Sequence, residues 1–266
     1  MKINFKLAFK LNFIILKKLF NYVSKNFYKL IKLYYNNNMK TKEKILSSTV
    51  HSELKKIFPS PVCELNFVDD YTLMVSVILS AQCTDKRVNS VTPILFSKYP
   101  SFQALKDADI KEVEKIIYPC GFYKNKAKSI INASKDVCYR FSGKLPSNLA
   151  DLTSLSGVGR KTANVLISNL FNKPAIAVDT HVFRVSNRLG IANAKNVLEC
   201  EMQLQENIDK NLWSEMHHLM VLFGRYICKA RSPLCQKCSL AHLCKFYAQS
   251  IKNEEDKKEK NIQERK

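Results

Sequence analysis

The residues best suited to chemistry in this chain are Lys161 and Asp179, an amine and a carboxylate eighteen residues apart. Lys161 follows a turn with two glycines, residues 155–160, at the expected start of a helix. An amine with a carboxylate available to accept its proton is suited to covalent attack on an electrophilic sugar carbon. Because a free lysine has a pKa of about 10.4, this attack requires a proton acceptor. The pair therefore predicts a lysine nucleophile assisted by an aspartate.

The turn before Lys161 predicts an anion site. Gly157, Val158 and Gly159 precede the helix, and the free amides of a helix start carry partial positive charge. The glycines permit positive φ angles and a close approach of the backbone to a ligand such as a DNA phosphate. Taken alone, the turn also fits a DNA-binding hairpin without catalysis. In that case Lys161 contacts phosphate and Asp179 only caps a helix.

Four of the nine cysteines are grouped near the C-terminus with the spacing C-x6-C-x2-C-x5-C. This spacing predicts a metal centre with four thiolate ligands, and it leaves an iron–sulfur cluster and zinc as alternatives. The odd total and the lack of a secretion signal argue against disulfides. The four expected ligands are Cys228, Cys235, Cys238 and Cys244. The scattered cysteines are expected to be reduced, buried thiols: Cys63, Cys83, Cys120, Cys138 and Cys200.

Lys229 and Arg231 lie in the first loop between these cysteines. If a metal fixes the loop, both side chains become pre-placed phosphate contacts. The alternative is that they are solvated surface charges.

The composition favours a polyanionic partner. Forty-three Lys and Arg residues against 23 Asp and Glu give a formal net charge of +20 at pH 7. Such a balance is typical of proteins that bind nucleic acid or an anionic membrane surface. Residues 1–38 contain eight lysines and no acidic residue, so the rest of the chain still carries +12. No apolar run reaches the roughly 20 residues that a membrane span needs.

Both ends of the chain are expected to lie outside the folded region. Residues 1–38 have lysines at helical spacing, as in a membrane-surface helix or an organelle-targeting segment. We favour a simpler interpretation, in which A/T-rich codons produce this composition and Met39 is the expected start. Residues 252–266 mix six basic with five acidic residues and predict a disordered, solvated tail.

Between these ends the pattern is helical throughout. Apolar residues recur at helical spacing in segments such as 45–57 and 130–141, and no alternating strand pattern or βαβ unit occurs. Asp69 or Asp70 is expected to cap a helix that runs to about Gln82, and Thr84 to cap the next helix. The sequence therefore predicts an all-α protein.

Three motifs together carry a resemblance to a known family. They are the hairpin at 155–164, the run at 176–185 and the four-cysteine spacing, and residues 79–85 and 121–123 fit as well. In this order they resemble endonuclease III, the helix-hairpin-helix family of DNA glycosylases with a C-terminal iron–sulfur cluster. The likeness covers about residues 40 to 247.

The resemblance implies a fold of two lobes, a six-helix barrel and a cluster domain, with DNA bound across the cleft between them. The implied order is an extension at 1–38, an N-terminal helix joining the cluster domain at 40–62, the barrel at 63–173 with the hairpin at 147–171, the cluster domain at 174–250 and a disordered charged tail at 251–266. It also implies that the metal centre is a [4Fe–4S] cluster.

The implied activity is that of a bifunctional DNA glycosylase and AP lyase of base excision repair, which removes oxidised pyrimidines. Lys161 would form a Schiff base with the sugar, Asp179 would accept the lysine proton, and β-elimination would nick the strand. Gln82 would fill the space left by the extruded base. Phe122 would wedge beside it, where the family often has an aliphatic residue. The hairpin amides would hold a backbone phosphate.

The implied partner is double-stranded DNA containing oxidised pyrimidines or abasic sites. The resemblance implies a monomer with no stable protein partner and no membrane span, in the bacterial cytoplasm and associated with the nucleoid.

Two other functions remain as alternatives. A monofunctional mismatch glycosylase of the same fold, specific for adenine or for thymine and uracil, typically lacks a lysine at the position of Lys161. Adenine-specific enzymes also carry a further C-terminal domain, and only 22 residues follow Cys244. A non-catalytic DNA-binding iron–sulfur protein would leave the pairing of Lys161 with Asp179 unexplained.

Overall fold

The computed structural model describes residues 41–263. The chain divides into two compact units, Met1–Leu46 and Ser47–Lys266. Of the first unit the structure describes residues 41–46, which are helical. The extension predicted at 1–38 lies outside the described residues.

The second unit consists of helices joined by turns. No strand occurs within residues 47–263, which confirms the all-α prediction. No helix of the described chain is long and apolar enough to cross a membrane. Residues 47–57 are helical and are called α1. The following helices are α2 (Asp70–Leu79), α3 (Asp85–Lys98), α4 (Phe102–Lys106), α5 (Ile110–Ile117), α6 (Tyr123–Arg140), α7 (Leu149–Thr153), α8 (Arg160–Leu170), α9 (Thr180–Leu189), α10 (Val197–Asn207), α11 (Trp213–Tyr226) and α12 (Lys245–Gln263).

Side-chain caps fix where the first of these helices begin. Asp69 and Thr72 form a capping box at the start of α2, in which the Asp69 carboxylate accepts from the Thr72 amide at 2.8 Å. Thr84 caps α3. Both predicted caps are confirmed, but α2 ends at Leu79 and not near Gln82. Gln82 has a left-handed backbone with φ of 52°, which a right-handed helix cannot continue through.

One apolar core extends from Leu65 to Ala177. Helix α2 is central to it, since nine of its ten residues are buried. Helix α8 packs against α2 and α7, and Ala163 and Leu166 on its inner face are fully buried. Because this face is held in the core, the exposed residue Lys161 is fixed on the outer side of α8.

Helix α9 is held by three other helices. Helices α10, α11 and α12 all pack against it, and its apolar residues Val182, Val185 and Leu189 are buried. Phe223 on α11 is also buried. This packing fixes the orientation of α9, whose first residue follows Asp179. The domain boundaries implied by the resemblance stay predictions.

The extent of helix α12 contradicts the predicted disorder of the C-terminal tail. Residues 251–263 are helical, where the sequence predicted a disordered tail. Lys, Glu and Gln have high helix propensity, so a segment rich in them can continue a helix. The mixed charges that indicated disorder are equally compatible with a helix.

We expect Leu166→Ala to lower the free energy of unfolding by about 2–5 kcal/mol, because it leaves a cavity beneath α8. Leu198→Ala on α10 is a matched control, since Leu198 is 50% exposed and should cost only about 0.5 kcal/mol. Urea denaturation of the two variants measures the difference. Equal losses would show that Leu166 is not the buried side chain described above.

Candidate active site

Lys161 is the second residue of α8. The helix begins at Arg160, with Gly159 as its N-cap. Arg160 makes a bidentate ion pair with Glu201 on α10, through Nε at 2.9 Å and Nη2 at 2.8 Å. Only 3% of the Glu201 side chain is exposed, and the hydrogen bonds that Arg160 donates to this carboxylate raise the pKa of Arg160. The first turn of α8, with Lys161 in it, is therefore tied to α10.

The turn before α8 offers amides to an anion, though not all three that the sequence indicated. Gly157 has a φ of 75°, and a Cβ there would lie 2.7 Å from the Cβ of Ser129, so this position requires glycine. Gly159 has an ordinary φ of −85°, and a Cβ there would meet nothing within 4 Å. The Val158 amide already donates to the Leu155 carbonyl at 3.1 Å, and its side chain is buried. Gly157 and Gly159 are the remaining candidates, and Val158 anchors the turn.

Asp179 is the N-cap of α9. Its Oδ1 accepts hydrogen bonds from the amides of His181 and Val182, each at 2.8 Å. The preceding residues 175–178 are buried, which fixes the backbone that leads into the cap. The capping role that the sequence offered as an alternative is confirmed. Because both bonds go to Oδ1, the cap leaves Oδ2 for a second role.

One cleft brings the predicted groups together. Lys161, Asp179 and Gln82 all line it, and its volume is about 690 Å³. This volume lies within the range of roughly 300–1,000 Å³ that is usual for small-molecule sites. Gln82 is exposed and has a left-handed backbone, as residues at functional sites often do. The fold thus places three of the predicted site residues on one surface.

Arg225 also lines the cleft and was missed by sequence reasoning. Its Nη1 pairs with Glu64 and with Asp85 Oδ2, the latter at 2.6 Å. Burial opposes the charge of Arg225, but the hydrogen bonds with Asp85 and Glu64 outweigh it and raise the pKa of the guanidinium. These residues lie far apart in the sequence, so no local pattern indicates the cluster.

His217 has a structural role. It is buried and its Nδ1 donates to the carbonyl oxygen of Ala177 at 2.7 Å, which makes Nε2 the unprotonated nitrogen. Burial, followed by the proximity of His218, holds the pKa of His217 well below its ordinary value. The neutral ring thereby supports the segment that leads into Asp179.

The four clustered cysteines line one pocket whose other walls are largely apolar. Burial, followed by the nearby thiols of Cys244 and Cys228, raises the pKa of Cys235. Arg188 Nη1 donates to the Cys228 sulfur at 3.5 Å. Four thiols around an apolar pocket fit a larger group, such as an iron–sulfur cluster, that fills the space between its ligands.

Two arginines connect this pocket to α9. Arg184 donates from Nε to the Cys228 carbonyl at 3.0 Å and from Nη2 to the Gly224 carbonyl at 2.8 Å. Arg188 donates to the Lys229 carbonyl at 2.8 Å. The loop that begins at Cys228 is therefore bound to the helix whose cap is Asp179.

Besides the hairpin residues 157–159, three predicted DNA contacts lie outside the residues that line the cleft. Phe122 is 64% exposed and has a left-handed φ of 48° before α6. Lys229 and Arg231 are exposed in the loop after Cys228. All three are accessible to a large ligand.

Comparison with known proteins identifies the class of protein to which this chain belongs. Residues 75–210 match the HhH-GPD superfamily of base excision DNA repair proteins, and residues 228–244 match the iron–sulfur binding domain of endonuclease III. Endonuclease III of Bacillus subtilis is 47% identical over 190 residues, which are 71% of this chain and 87% of that protein.

Two solved structures are similar with a TM-score of 0.75. One is a non-covalent endonuclease III–DNA complex, 43% identical and covering 79% of this chain and 98% of the other. The second is a trapped covalent endonuclease III–DNA intermediate, 44% identical and covering 78% and 98%.

The helical fold, the hairpin and the thiol pocket define a base excision DNA repair protein with an iron–sulfur domain. The chain belongs to the endonuclease III family, as its motifs predicted. Its cofactor is a [4Fe–4S] cluster.

We expect His217→Gln to reduce the loss of stability on acidification. Below pH 6.5 the unfolded chain protonates this histidine while the fold keeps it neutral, so stability falls by up to about 1.4 kcal/mol per pH unit. Urea denaturation between pH 7.5 and 5.5 measures the slope. Leu198→Ala, at an exposed leucine, removes no titrating group and should keep the wild-type slope. An unchanged slope in His217→Gln would mean that the ring is protonated in the fold.

Proposed function

We propose that this chain removes oxidised pyrimidines from duplex DNA with Lys161 as the nucleophile and Asp179 as its proton acceptor. The family supplies the activity, a bifunctional DNA glycosylase and AP lyase of base excision repair. The observation that carries the proposal is the cleft in which Lys161 and Asp179 meet, each held at the start of a helix. Both similar endonuclease III structures are complexes with DNA, one of them covalent, in keeping with an attacking side chain.

Access to the sugar requires that the damaged base leave the helix stack. Extrusion of a base costs a few kcal/mol, and damage that weakens stacking lowers this cost. Gln82 lies on the cleft surface beside Lys161, where its amide can occupy the vacated space and bond the orphaned partner base. Phe122 is the proposed second wedge. Its exposed ring suits stacking on a base.

The Lys161 amine attacks the sugar C1′ as the bond from C1′ to the base breaks. The base departs with the electron pair of that bond and gains a proton, and the amine loses one. The C1′–O4′ bond then breaks, O4′ takes up a proton, and the opened sugar is left as a protonated Schiff base with Lys161, which makes the C2′ proton acidic. Loss of that proton expels the 3′ phosphate by β-elimination and nicks the strand. Water then hydrolyses the Schiff base, which frees the lysine and leaves an unsaturated aldehyde on the sugar.

Asp179 accepts the proton that the amine must lose. Its Oδ1 already accepts hydrogen bonds from two amides, so Oδ2 is the oxygen that accepts the proton. The carboxylate charge also stabilises positive charge on the sugar as the base departs.

Backbone contacts position the duplex. The Gly157 and Gly159 amides at the start of α8 bind a phosphate, and Lys229 and Arg231 add contacts from the cluster loop. Cys228, Cys235, Cys238 and Cys244 hold the [4Fe–4S] cluster, which when bound fixes that loop against α9.

The monofunctional alternative receives less support. A thymine-DNA glycosylase structure is similar with a TM-score of 0.68, but its 23% identity concerns the fold alone. The accessible amine of Lys161 in the cleft can act as the nucleophile of a lyase, whereas a monofunctional enzyme has no step that needs an amine nucleophile. A non-catalytic role would again leave the pairing of Lys161 with Asp179 unused. The monomeric state and the cytoplasmic location stay predictions.

We expect borohydride to trap a covalent adduct between the protein and a duplex with one oxidised pyrimidine, and Lys161→Gln to abolish it, because glutamine has no nucleophilic amine. Gel electrophoresis measures the adduct. Lys210→Gln, at an exposed lysine, removes the same charge and should trap like the wild type. Trapping by Lys161→Gln at wild-type yield would identify a different amine as the nucleophile.

Asp179→Asn separates catalysis from capping. Asparagine also caps helices well, so α9 and the melting temperature should be kept while the proton acceptor is lost. We expect single-turnover base excision to fall by about 10²-fold or more, the scale of a lost general base. Equal rates for the wild type and Asp179→Asn would show that Asp179 acts only as a helix cap.

Iron analysis tests the proposed ligands. Protein purified without oxygen should be brown and contain about four irons per chain. Cys238→Ala should lower the iron content, and Cys138→Ala, at a cysteine outside the cluster, should not. A colourless protein with one zinc would contradict the assignment.

A further inference from the structure

The loop that carries Phe122 has an unfavourable backbone conformation. This wedge loop, residues 118–122, consists of the 3₁₀ turn Tyr118–Cys120 followed by Gly121 and Phe122, whose φ angles are 67° and 48°. A left-handed backbone is disfavoured for a large side chain such as phenylalanine and persists only where surrounding contacts enforce it. Phe122 precedes α6 without a side-chain cap, and it is 64% exposed. Because its ring is largely free of packing, the conformation depends on contacts to the backbone before it.

Two cations bind consecutive carbonyls of the wedge loop. Lys126 Nζ, on α6, donates to the Cys120 carbonyl oxygen at 2.9 Å. Arg87 Nη1, on α3, donates to the Pro119 carbonyl oxygen at 3.2 Å. Hydrogen bonds from charged donors are stronger than those between neutral groups. The backbone directly before Gly121 is therefore fixed from two different helices.

Lys126 lies where a positive charge is costly. Only 6% of it is exposed, and it is the fourth residue of α6, within the turn that carries the partial positive charge of the helix start. Burial lowers the pKa of Lys126. Within residues 41–263 its ammonium bonds a carbonyl oxygen and pairs with no carboxylate. Since an apolar side chain fills such a position at less cost, we attribute the lysine to its bond with Cys120.

We propose that Lys126 is a positioning residue, which holds the wedge loop so that the Phe122 ring is in place to stack on a base beside the lesion. Its bond to the Cys120 carbonyl fixes the turn two residues before Phe122. Arg87 supports the same turn from α3. The inference rests on the proposed function, which assigns Phe122 to the lesion. Lys126 acts through Phe122 and has no contact with the reacting atoms.

Loss of the Lys126 bond releases the turn, so the backbone at Phe122 can relax to an ordinary conformation that directs the ring elsewhere. The ring then has to be ordered while the base is extruded, which slows base excision. Small misplacements of binding groups can cost up to about 10²-fold in rate, and we expect about 10-fold for this one bond. Strand nicking at a preformed abasic site requires no base to be extruded, so it should slow by less than about 2-fold.

The experiment is a double-mutant cycle on the holoenzyme. Lys126→Met keeps the length of the side chain but removes its charge and donor, and Phe122→Ala removes the ring. Single-turnover base excision is measured at saturating enzyme and moderate salt on a duplex with one oxidised pyrimidine. We expect both single variants and the double variant to be slower by about 10-fold, because residues that act through one ring do not add their effects. Lys128→Met, which loses the same charge at an exposed position of α6, should keep the wild-type rate.

Melting temperature and visible absorbance show whether each variant folds and keeps its cluster. If Lys126→Met does not fold, Arg87→Met, which removes the neighbouring bond, takes its place in the cycle with the same expected result.

Three results would overturn the positioning role alone, with Phe122→Ala slow as expected. They are a wild-type rate for Lys126→Met, a double variant slower by about 100-fold, as independent effects require, and an equal loss of rate at the abasic site. A wild-type rate for Phe122→Ala would overturn both this proposal and the wedge role of Phe122. An inactive wild type would overturn the proposed function and, with it, this inference.

Discussion

The orientation of α9 is the constraint on which the site depends. Its first turn holds the Asp179 carboxylate through two amides, so the carboxylate points where the helix directs it. Farther along α9, Arg184 and Arg188 bind carbonyls in the loop that begins at Cys228. The thiol pocket and the carboxylate are thus connected by one helix of ten residues. A change at the cluster loop can therefore reach the cleft through α9 without touching the reacting atoms.

The position of the Lys161 amine relative to the Asp179 carboxylate follows from how α8 and α9 are held. Helix α8 is held by the apolar core on one side, and by the ion pair of Arg160 with the buried Glu201 at its first turn. Glu201 belongs to α10, which packs against α9. Since breaking a buried ion pair leaves an uncompensated charge, this connection resists local rearrangement. Lys161 and Asp179 are consequently fixed with respect to each other by two helices and one ion pair.

Charge acts at two scales in this protein. The net charge of +20 attracts a polyanion over the whole surface and is screened by salt. Inside the cleft the balance is different, because Glu64 and Asp85 offset the charge of Arg225. The exposed Gln82 and Phe122, with their left-handed backbones, are also better suited to contact with a ligand than to stability. In the proposed function, attraction to DNA and selection of a target are therefore assigned to different residues.

The sequence by itself determined the features that depend on neighbours along the chain. Helical periodicity, the caps at Asp69 and Thr84, the glycine turn and the cysteine spacing are local, so they predicted an all-α protein with a four-thiolate metal centre. Together the motifs also carried the resemblance that implied the family and its [4Fe–4S] cluster. Only the tertiary structure showed that the Val158 amide is used within the turn and that Arg225 joins Glu64 and Asp85. Contacts between residues far apart in the chain depend on which helices pack against each other. The periodicity of a helix shows which of its faces is buried, but it does not show which helix covers that face.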